Sequence, residues 1–388
     1  MKVAHLTTVD MSLRYLLLPQ LRAVVDAGGE ALGISAPGPW VHDLEEHGIR
    51  HRALASSTRS RAPLADLRSA RELWRVLREE RPDVLHTHNP KPGLYGRIVG
   101  RLAGVPIVVN TVHGLYAAPD DRLAKRLLVY ALEAVAARFS DAELVQNPED
   151  LALLRRYRIS PRAQLLGNGV DLDRFDPDRF PPGRRAALRA ELGVRDDQVV
   201  VGTVGRLVRE KGYPELFAAL ASLGGEDPGR FVLVCVGGED PEKADRLAPE
   251  LLESARAGGV RLLGHRDDVE DLLGAFDVFV LASHREGFPR AAMEAAAMGL
   301  PLVATDIRGC REVVDPGVNG VLVPVGDAPA LADAVRGLAD PSRRARLGRA
   351  SRDLAVRRFD ERAVVRRVMD TYDAVAQRPR RLRRLRLR

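Results

Sequence analysis

Apolar residues in the first half of the chain form short β-rich runs that alternate with longer stretches of helical spacing. The short runs predict five strands, at residues 3–7, 31–34, 84–88, 107–111 and 142–145. Three stretches between them carry apolar side chains at three- and four-residue intervals, which predicts amphipathic helices at 13–27, 64–80 and 122–139. Nearly continuous apolar strands that alternate with helices are typical of a parallel sheet covered on both faces.

Residues 168–182 interrupt this rhythm with Gly, Asn, Asp and Pro, as a linker between domains would. A second alternation follows, with predicted strands at 199–204, 231–236, 260–263, 278–281, 302–304 and 321–323. Helical spacing separates these strands at 213–223, 289–298 and 329–338, and it continues from about residue 342. We therefore predict an α/β protein with two doubly wound, Rossmann-like domains, over 1–167 and 183–358. Because open α/β sheets bind ligands at the carboxyl ends of their strands, we expect the domains to face a ligand-binding cleft.

Composition is that of an ordinary globular protein, with 388 residues, of which 45% are hydrophobic and 29% charged. Cys235 and Cys310 are too few for a disulfide framework or a zinc site. No apolar run approaches the roughly 20 residues of a membrane-spanning helix, and residues 1–10 lack the apolar core of a signal peptide. We therefore expect a soluble, cytoplasmic protein.

The formal charge of +7 comes from residues 378–388, which hold seven arginines and no acid. Without this tail, 53 basic residues balance 53 acidic ones, so the body lacks the clustered positive charge that nucleic-acid binding needs. We expect no nucleic-acid partner. The tail, Arg378–Arg388, is expected to be disordered, and either to bind anionic membrane lipids or to serve only as a solubilising end.

Two common nucleotide-binding signatures are missing: G-x-G-x-x-G after the first strand, and G-x-x-x-x-G-K-[ST]. The usual basis for predicting dinucleotide-dependent redox chemistry or P-loop phosphoryl transfer is therefore lacking. Instead, the loop GRLVREKG at 205–212 follows a predicted strand and precedes a helix. Arg206 and Lys211 in this loop would bind a diphosphate together with N–H groups of the helix start. The alternative is a solvated loop whose basic side chains bind nothing.

A second candidate site lies in the segment EGFPRAAME, which begins at Glu286. Because Pro289 suits the first turn of a helix, Gly287 and Phe288 would offer N–H groups at that helix N-terminus. Glu294 is the only acid on the alanine-rich segment that follows, and a partly buried acid needs hydrogen bonds. Ribose hydroxyls would supply them, or an arginine would pair with a purely structural Glu294. The presence of both glutamates favours a binding site.

In this order after a first α/β half, the two segments resemble the retaining glycosyltransferases of family 4, which have the GT-B fold. The matching motifs are E-x7-E, GR-x4-KG, NGVD at 168–171, and ATD at 304–306 with Glu312 and Asn319-Gly320 following. The variants TTVDxSLR at 7–14, HTHNPKPG at 86–93, EGFPR and DIRGCRE at 306–312 resemble bacterial exopolysaccharide, capsule and lipid-linked oligosaccharide transferases. The resemblance covers about residues 3–373. It implies that a C-terminal helix, over 359–377, packs back on the first domain.

The resemblance also implies roles for individual residues. The implied donor-binding residues are Gly205, Arg206, Lys211, Glu286, Gly287, Phe288 and Glu294. Arg206 and Lys211 would hold the donor diphosphate and help the nucleotide leave. Glu286 would contact hydroxyls of the transferred sugar, and Glu294 would bind the ribose. His113 would lie near the sugar and the acceptor, although a histidine with a purely structural role in the loop is the common alternative. The implied catalytic residues are therefore Arg206, Lys211, Glu286 and His113.

Retention in this family is described as front-face attack through an oxocarbenium-like state, in which the leaving phosphate accepts the acceptor's proton. The enzyme would act by positioning and by electrostatic stabilisation of the diphosphate, so we expect no cofactor and no metal. Four aspartates of the linker are expected to form turns: Asp171, Asp173, Asp176 and Asp178. His86 and His88 share one face of a strand, but without a third ligand they do not predict a metal site.

The first strand–helix loop departs from the family pattern, because many members have a Gly-Gly pair there and this chain has TVDMS at 8–12. Backbone approach to a phosphate would be less free, so we expect Ser12 and Arg14 to bind the acceptor with side chains. His88, Lys91 and Arg97 are further candidates for contact with an anionic acceptor.

The sequence thus predicts transfer of a hexose or N-acetylhexosamine from a nucleotide-diphosphate sugar, with UDP favoured over GDP. The acceptor would be a lipid-linked or polysaccharide glycan at the inner face of the cell membrane. One alternative is a sugar-nucleotide epimerase on a related fold, which the E-x7-E helix and the linker disfavour. The other is a non-catalytic protein tethered to membrane or nucleic acid, which would not need two cations and two acids at strand ends.

Overall fold

The computed structural model describes residues 1–60, 62–88, 90–117, 121–181, 183–240, 243 and 245–378. These residues form two compact units. Unit 1 contains residues 1–167 and the chain from Arg362 onward, and unit 2 contains residues 168–361. The part of the predicted basic tail that follows Arg378 lies outside the described residues.

Each unit has one parallel β-sheet, and in both sheets the order of strands reverses near the middle. The strands of unit 1 are β1 (Lys2–Val9), β2 (Glu30–Ala36), β3 (Arg50–Ala53), β4 (Val84–His88), β5 (Ile107–Val112), β6 (Ala142–Val145) and β7 (Gln164–Leu165). Their order is β3-β2-β1-β4-β5-β6-β7. The strands of unit 2 are β8 (Val199–Val204), β9 (Phe231–Val236), β10 (Arg261–Leu262), β11 (Val278–Leu281), β12 (Leu302–Thr305) and β13 (Gly320–Val323), in the order β10-β9-β8-β11-β12-β13.

In the described part of the chain, sixteen α-helices connect or follow the strands. In unit 1 they are α1 (Asp10–Ser12), α2 (Leu18–Asp26), α3 (Val41–Glu46), α4 (Pro63–Glu80), α5 (Pro90–Leu102), α6 (Leu123–Ala137) and α7 (Pro148–Arg156). In unit 2 they are α8 (Arg184–Glu191), α9 (Tyr213–Glu226), α10 (Pro249–Ala257), α11 (Val269–Ala275), α12 (Arg290–Ala297), α13 (Arg308–Arg311), α14 (Ala328–Arg336) and α15 (Pro341–Arg358). The last, α16 (Glu361–Ala376), packs in unit 1. None of the helices in the described part of the chain has the length and apolarity that crossing a bilayer requires.

Both faces of each sheet are apolar because helices cover both. On one face of the first sheet, Val3, Val84 and Val109 pack against α16, whose Val368 and Tyr372 are buried. Helices α4 and α5 cover the opposite face. Burying a large apolar side chain in such a core stabilises the fold by roughly 1.5–3 kcal/mol. The central strands β4 and β5 are buried along their whole length, so side chains at their carboxyl ends are held rigidly.

Several elements differ from the sequence prediction. The pattern predicts neither β3 nor β7, because these are edge strands without an apolar run. The helix predicted over 13–27 begins as a π-helical turn, Leu13–Leu17, because Pro19 lacks the N–H that a continuous α-helix needs. The predicted linker over 168–182 belongs to unit 2, since Val170 and Phe175 are buried in its core.

Candidate active site

Two sequence motifs meet at the carboxyl ends of β8 and β11, where the strand order of the second sheet reverses. Lys211 Nζ lies 2.5 Å from Oε1 of Glu286, and the Ser283 hydroxyl donates to the same oxygen over 2.7 Å. The His284 N–H donates to the Glu210 carbonyl over 2.8 Å, which ties the two loops together. Residues of two separate motifs therefore form one site, at the position where open α/β sheets bind ligands.

Gly212 makes this close approach possible. It ends the GR-x4-KG motif with a φ of +71°, and a Cβ there would lie 1.9 Å from the carbonyl oxygen of Ala282, directly after β11. Any other residue would move the loop away from β11 and separate Lys211 from Glu286. Gly309 has a similar role, since its Cβ would lie 2.7 Å from the Glu286 carbonyl oxygen.

Arg206, predicted to bind a diphosphate with Lys211, is held by a different acid. Its Nη1 lies 2.5 Å from Oδ2 of Asp240, and its side chain is 39% exposed. The neighbouring Gly205 carbonyl accepts a hydrogen bond from the Tyr213 hydroxyl over 2.7 Å, which fixes the start of the loop. Each of the two predicted phosphate-binding cations thus has its own carboxylate partner in this structure.

Glu294 lies on α12 and is paired with an arginine. Arg290 Nε donates to its Oε1 over 2.9 Å, so the arginine-paired alternative describes Glu294 here. Gly287 and Phe288 precede α12, and the Phe288 carbonyl accepts a hydrogen bond from the Asn168 side-chain amide over 3.3 Å. A ribose at this position would therefore compete with Arg290 for the Glu294 carboxylate.

Unit 1 contains a continuous chain of hydrogen-bonded side chains at the point where its own strand order reverses. In order, this histidine chain runs through Thr111, His86, Tyr372, His5, His88 and His113. The successive distances between their ring nitrogens and hydroxyl oxygens are 2.7, 2.6, 3.2, 3.0 and 3.1 Å. The members come from β1, β4, the end of β5 and α16. His113 is its partly exposed end.

Burial keeps the histidine chain uncharged. Burial lowers the pKa of His5 to about 3 and that of His113 to about 4, although a hydrogen bond with Gln146 raises the His113 pKa. The pKa values of His86 and His88 lie well below the usual range, first because of burial and then because of the neighbouring histidines. A neutral ring has one N–H donor and one acceptor nitrogen, which is what a continuous chain requires.

Among the described residues, the group that could hold a metal ion is His5, His86 and His88, whose ligand atoms lie within 4.8 Å of one another. The sequence argument that His86 and His88 lack a third ligand is therefore wrong, because β1 pairs with β4 and places His5 opposite His86. The ring nitrogens already form hydrogen bonds within the histidine chain. A metal ion would have to displace these bonds.

Two of the residues that were predicted to bind the glycosyl acceptor, Lys91 and Arg14, are paired with nearby acids. Lys91 Nζ lies 2.5 Å from Asp66 and donates to two backbone carbonyls of the loop before α4. Arg14 Nε lies 2.8 Å from Asp43. Ser12 closes the short helix α1, directly after β1. All three lie near the carboxyl ends of β1 and β4.

Two further acceptor candidates are buried, which contradicts their prediction as contact residues. Arg97 is 1% exposed and donates to Glu143 over 2.8 Å and to Glu133 over 2.6 Å. His88 is also 1% exposed, between His5 and His113 in the histidine chain. Arg97 therefore neutralises two acids inside unit 1, and His88 reaches the surface only through His113.

Asp10 takes the place of the missing Gly-Gly pair. It follows β1 directly, is buried, and accepts hydrogen bonds from the N–H groups of Met11 and Trp40, both over 2.8 Å. A carboxylate at this helix start repels a phosphate, so this loop is a poor place for the donor diphosphate. The roles of Asp10, His5 and Tyr372 were not predicted from the sequence, because Asp10 also binds the distant Trp40 and because His5 and Tyr372 are 367 positions apart.

Two of the four aspartates that were predicted to form turns, Asp171 and Asp176, accept hydrogen bonds from nearby backbone N–H groups, and Asp176 also accepts one from Arg352 over 2.9 Å. Asp171 accepts hydrogen bonds from the N–H groups of Asp173 and Arg174, over 2.9 and 3.0 Å. Asp176 accepts one from the N–H of Asp178, over 3.2 Å. These contacts are those of turn formers.

Comparison with known proteins adds independent findings. Residues 18–169 match a glycosyl transferase 4-like domain, and residues 198–340 match glycosyl transferases group 1. The UDP-Gal:alpha-D-GlcNAc-diphosphoundecaprenol alpha-1,3-galactosyltransferase of Escherichia coli is 31% identical over 304 residues, 77% of this chain and 76% of that protein. The D-inositol 3-phosphate glycosyltransferase of Saccharomonospora viridis is 35% identical over 307 residues, 75% of this chain and 69% of that protein.

A solved structure with a similar fold is that of Anabaena HepE in complex with UDP. It has a TM-score of 0.79 and 23% sequence identity, over 96% of this chain and 100% of that chain. This likeness, with the two parallel-sheet units described above, confirms the predicted GT-B fold.

Proposed function

Because this chain belongs to the glycosyltransferases, we propose that it is a retaining enzyme that transfers a hexose or N-acetylhexosamine from a UDP-sugar. The acceptor is a lipid-linked or polysaccharide glycan. Membership of this family favours a transferase over a sugar-nucleotide epimerase or a non-catalytic tethered protein. The observation that carries the proposal is the Lys211–Glu286 contact at the strand ends of unit 2.

An exchange of partners at this contact explains how the site binds and activates the donor. The negative charge of a diphosphate can replace that of Glu286 beside Lys211 and that of Asp240 beside Arg206. When the diphosphate takes these cations, the Glu286 carboxylate is released to accept hydrogen bonds from hydroxyls of the sugar. The cations then stabilise the charge that develops on the leaving diphosphate, so the proposed reaction needs no metal. Glu294 accepts hydrogen bonds from the ribose.

Retention follows from attack on the face that the nucleotide leaves. The acceptor hydroxyl adds to an oxocarbenium-like sugar while its proton passes to the departing phosphate, so no second enzymic carboxylate is required. His113, neutral and partly exposed at the end of β5, provides an N–H or a ring nitrogen for the sugar or the acceptor in exchange for its hydrogen bond with Gln146. A charged imidazolium would add repulsion toward the developing positive charge, which is why a low pKa suits this position.

Phosphate-bearing acceptors are supported by the names of both relatives. One acts on a diphosphoundecaprenol-linked sugar and the other on an inositol phosphate. We favour the lipid-linked class, used at the inner face of the cell membrane by a cytoplasmic, peripherally bound enzyme. Lys91 is the cation of unit 1 best placed to meet the acceptor phosphate. The arginines of the tail, 378–388, add attraction to anionic lipids.

A donor screen tests this proposal directly. The full-length protein is incubated with UDP-, GDP- and ADP-sugars, with and without EDTA, and with a polyprenyl-diphosphate sugar or inositol phosphate. We expect transfer from a UDP-sugar to the polyprenyl-linked acceptor, unaffected by EDTA, with the anomeric configuration retained by NMR. Conversion of the free donor without transfer would support the epimerase instead. Glu294→Ala is expected to weaken UDP binding, and wild-type binding by this variant would contradict the ribose contact.

A further inference from the structure

Helix α6 of unit 1 exposes a leucine-rich side to solvent. Five of its large apolar side chains are between 45% and 65% exposed: Leu123, Leu127, Leu128, Leu132 and Val135. Ala124 and Ala131 are also exposed, and at 100° per residue all seven fall within one half of the helix circumference. That half of α6, which is described in full, contains no charged residue. An ordinary surface helix turns such a stripe toward the core.

The charged residues of α6 lie on the other half. Glu133 accepts a hydrogen bond from the buried Arg97 over 2.6 Å, and Lys125 pairs with Asp121 over 2.6 Å. The same half also buries Tyr130 and Ala136 against unit 1. The helix therefore joins unit 1 through this half and leaves its leucine-rich half to solvent. A contiguous exposed apolar surface of this kind marks an interaction site.

Helix α4 exposes a complementary combination of side chains. Leu64, Leu67 and Trp74 are 74%, 70% and 47% exposed. Four exposed arginines share that face, at positions 68, 71, 75 and 78. Helix α4 packs against α5, and α5 packs against α6, so the two exposed faces belong to one layer of helices. We call these two faces the docking surface.

We infer that the docking surface binds a membrane that contains anionic lipids. The leucines of α6 enter the acyl region, and Trp74 lies at the level of the headgroups. The arginines of α4 extend their apolar stems along the surface and place their guanidinium groups against lipid phosphates. A second copy that covered the leucines with the same surface would place arginines of α4 against arginines or against apolar side chains. Charge complementarity therefore favours an anionic bilayer.

The docking surface lies where a lipid-linked acceptor would enter the site of unit 1, and this assignment of the acceptor rests on the proposed function. Helices α4 and α6 begin near the carboxyl ends of the strands, where Lys91 contacts Asp66 on α4 and His113 precedes α6. A polyprenyl chain buried in the bilayer would present its diphosphate at this edge of unit 1. Membrane binding is thereby assigned to unit 1 itself, and not to the basic tail alone.

Vesicle binding by the full-length protein tests the inference. Sedimentation with phosphatidylglycerol/phosphatidylcholine vesicles is compared with pure phosphatidylcholine vesicles. In one variant Leu123, Leu127 and Leu128 become Gln, which changes apolarity without adding charge. Its matched control is Val318→Gln, Val325→Gln and Val356→Gln, three exposed valines of unit 2. A third variant carries Arg68→Gln, Arg71→Gln and Arg75→Gln, and a fourth ends at Gln377.

We expect the leucine variant to bind anionic vesicles at least about tenfold more weakly than the wild type, because it no longer buries the apolar area of three leucines in the bilayer. The valine control should bind like the wild type. The arginine variant should lose the preference for phosphatidylglycerol. In a Trp40→Phe background, Trp74 fluorescence should shift to the blue on vesicle binding. Turnover of a water-soluble acceptor analogue should be unchanged in the leucine variant. If the proposed function is wrong, the wild type itself will not transfer sugar to this analogue, and that result is independent of vesicle binding.

Three results would overturn the inference. The first is wild-type vesicle binding by the leucine variant. The second is complete loss of binding by the chain that ends at Gln377, which would assign the membrane contact to the tail. The third is a wild-type dimer that becomes a monomer in the leucine variant, measured by light scattering, with no vesicle binding by the wild type. That would show that a second copy covers α6.

Discussion

The two units build their strand-end sites from opposite kinds of chemistry. In unit 2 the site consists of charged side chains that neutralise one another in pairs, Lys211 with Glu286 and Arg206 with Asp240. In unit 1 it consists of buried histidines that are neutral because they are buried. The first arrangement is ready to exchange a carboxylate for a phosphate. The second excludes charge and holds ring nitrogens in fixed positions.

This difference explains what each site can do in a transfer reaction. Charged pairs bind a diphosphate and stabilise it as it leaves, because the cations remain when the carboxylates are displaced. A neutral, hydrogen-bonded histidine cannot supply that charge, but it orients hydroxyl groups without repelling a developing sugar cation. The predictions that follow separate these two contributions, by comparing UDP binding with turnover and with the stability of unit 1.

Lys211→Ala should have the largest effect. Removing a cation that stabilises the leaving group should lower kcat/KM by about 10³-fold and weaken UDP binding, measured by calorimetry. Lys243→Ala is the matched control, because Lys243 is another partly exposed lysine of unit 2, 3.4 Å from Glu210. Equal losses in the two variants would mean that general positive charge, and not the Glu286 contact, binds the donor.

His113→Ala should lower kcat by about 10²-fold, the lower range for a group that acts on protons or hydroxyls in the transition state. UDP binding should stay at the wild-type level, since the proposed donor site lies wholly in unit 2. The exposed His42 of unit 1 provides a control, His42→Ala, which should leave both measurements unchanged. Weaker UDP binding by His113→Ala would contradict the division of roles between the units.

The sequence predicted that the two motifs of unit 2 lie close together, but it did not predict the histidine chain of unit 1. The motifs around Lys211 and Glu286 lie at the ends of strands whose apolar runs are plain, and the parallel order of strands brings those ends together. The histidine chain depends on which strands are neighbours, since His5 reaches His86 only because β1 pairs with β4. Tyr372 arrives on a helix from the end of the chain, and no local pattern indicates that contact. Spacing likewise predicted α6 as amphipathic, but not that its leucine-rich side faces solvent.

Mild acid should destabilise unit 1 before unit 2. His5 and His113 have pKa values of about 3 and about 4 in the folded chain, against 6.5 as the reference. Below pH 6.5 the unfolded chain therefore binds protons that the folded chain does not, so stability falls as pH falls. Each such histidine lowers the free energy of unfolding by about 2 kcal/mol between pH 7 and pH 5. Both tryptophans, Trp40 and Trp74, lie in unit 1, so their fluorescence during urea unfolding follows this unit alone.

The control for this prediction is the helical circular dichroism signal, to which unit 2 also contributes. It should show a second transition whose midpoint changes less between pH 7 and pH 5. His42→Gln, which removes an exposed histidine, should leave the pH dependence of the fluorescence midpoint unchanged. A midpoint that does not move between pH 7 and pH 5 would mean that the buried histidines are protonated in the folded chain.

Tyr372→Phe should have the smallest effect, and it tests the histidine chain most directly. The substitution removes one hydroxyl and keeps the ring that packs under the first sheet, but it leaves His5 Nε2 and His86 Nδ1 without a partner that now lies 3.2 and 2.6 Å away. The expected loss of unfolding free energy is about 1–2 kcal/mol, the cost of unsatisfied buried polar atoms, seen in tryptophan fluorescence. Tyr157→Phe, at an exposed tyrosine of unit 1, should cost nothing measurable. If the two variants are equally stable, the histidine chain is not continuous through Tyr372. In that case α16 contributes only apolar packing to unit 1, and the neutrality of the histidines rests on burial alone.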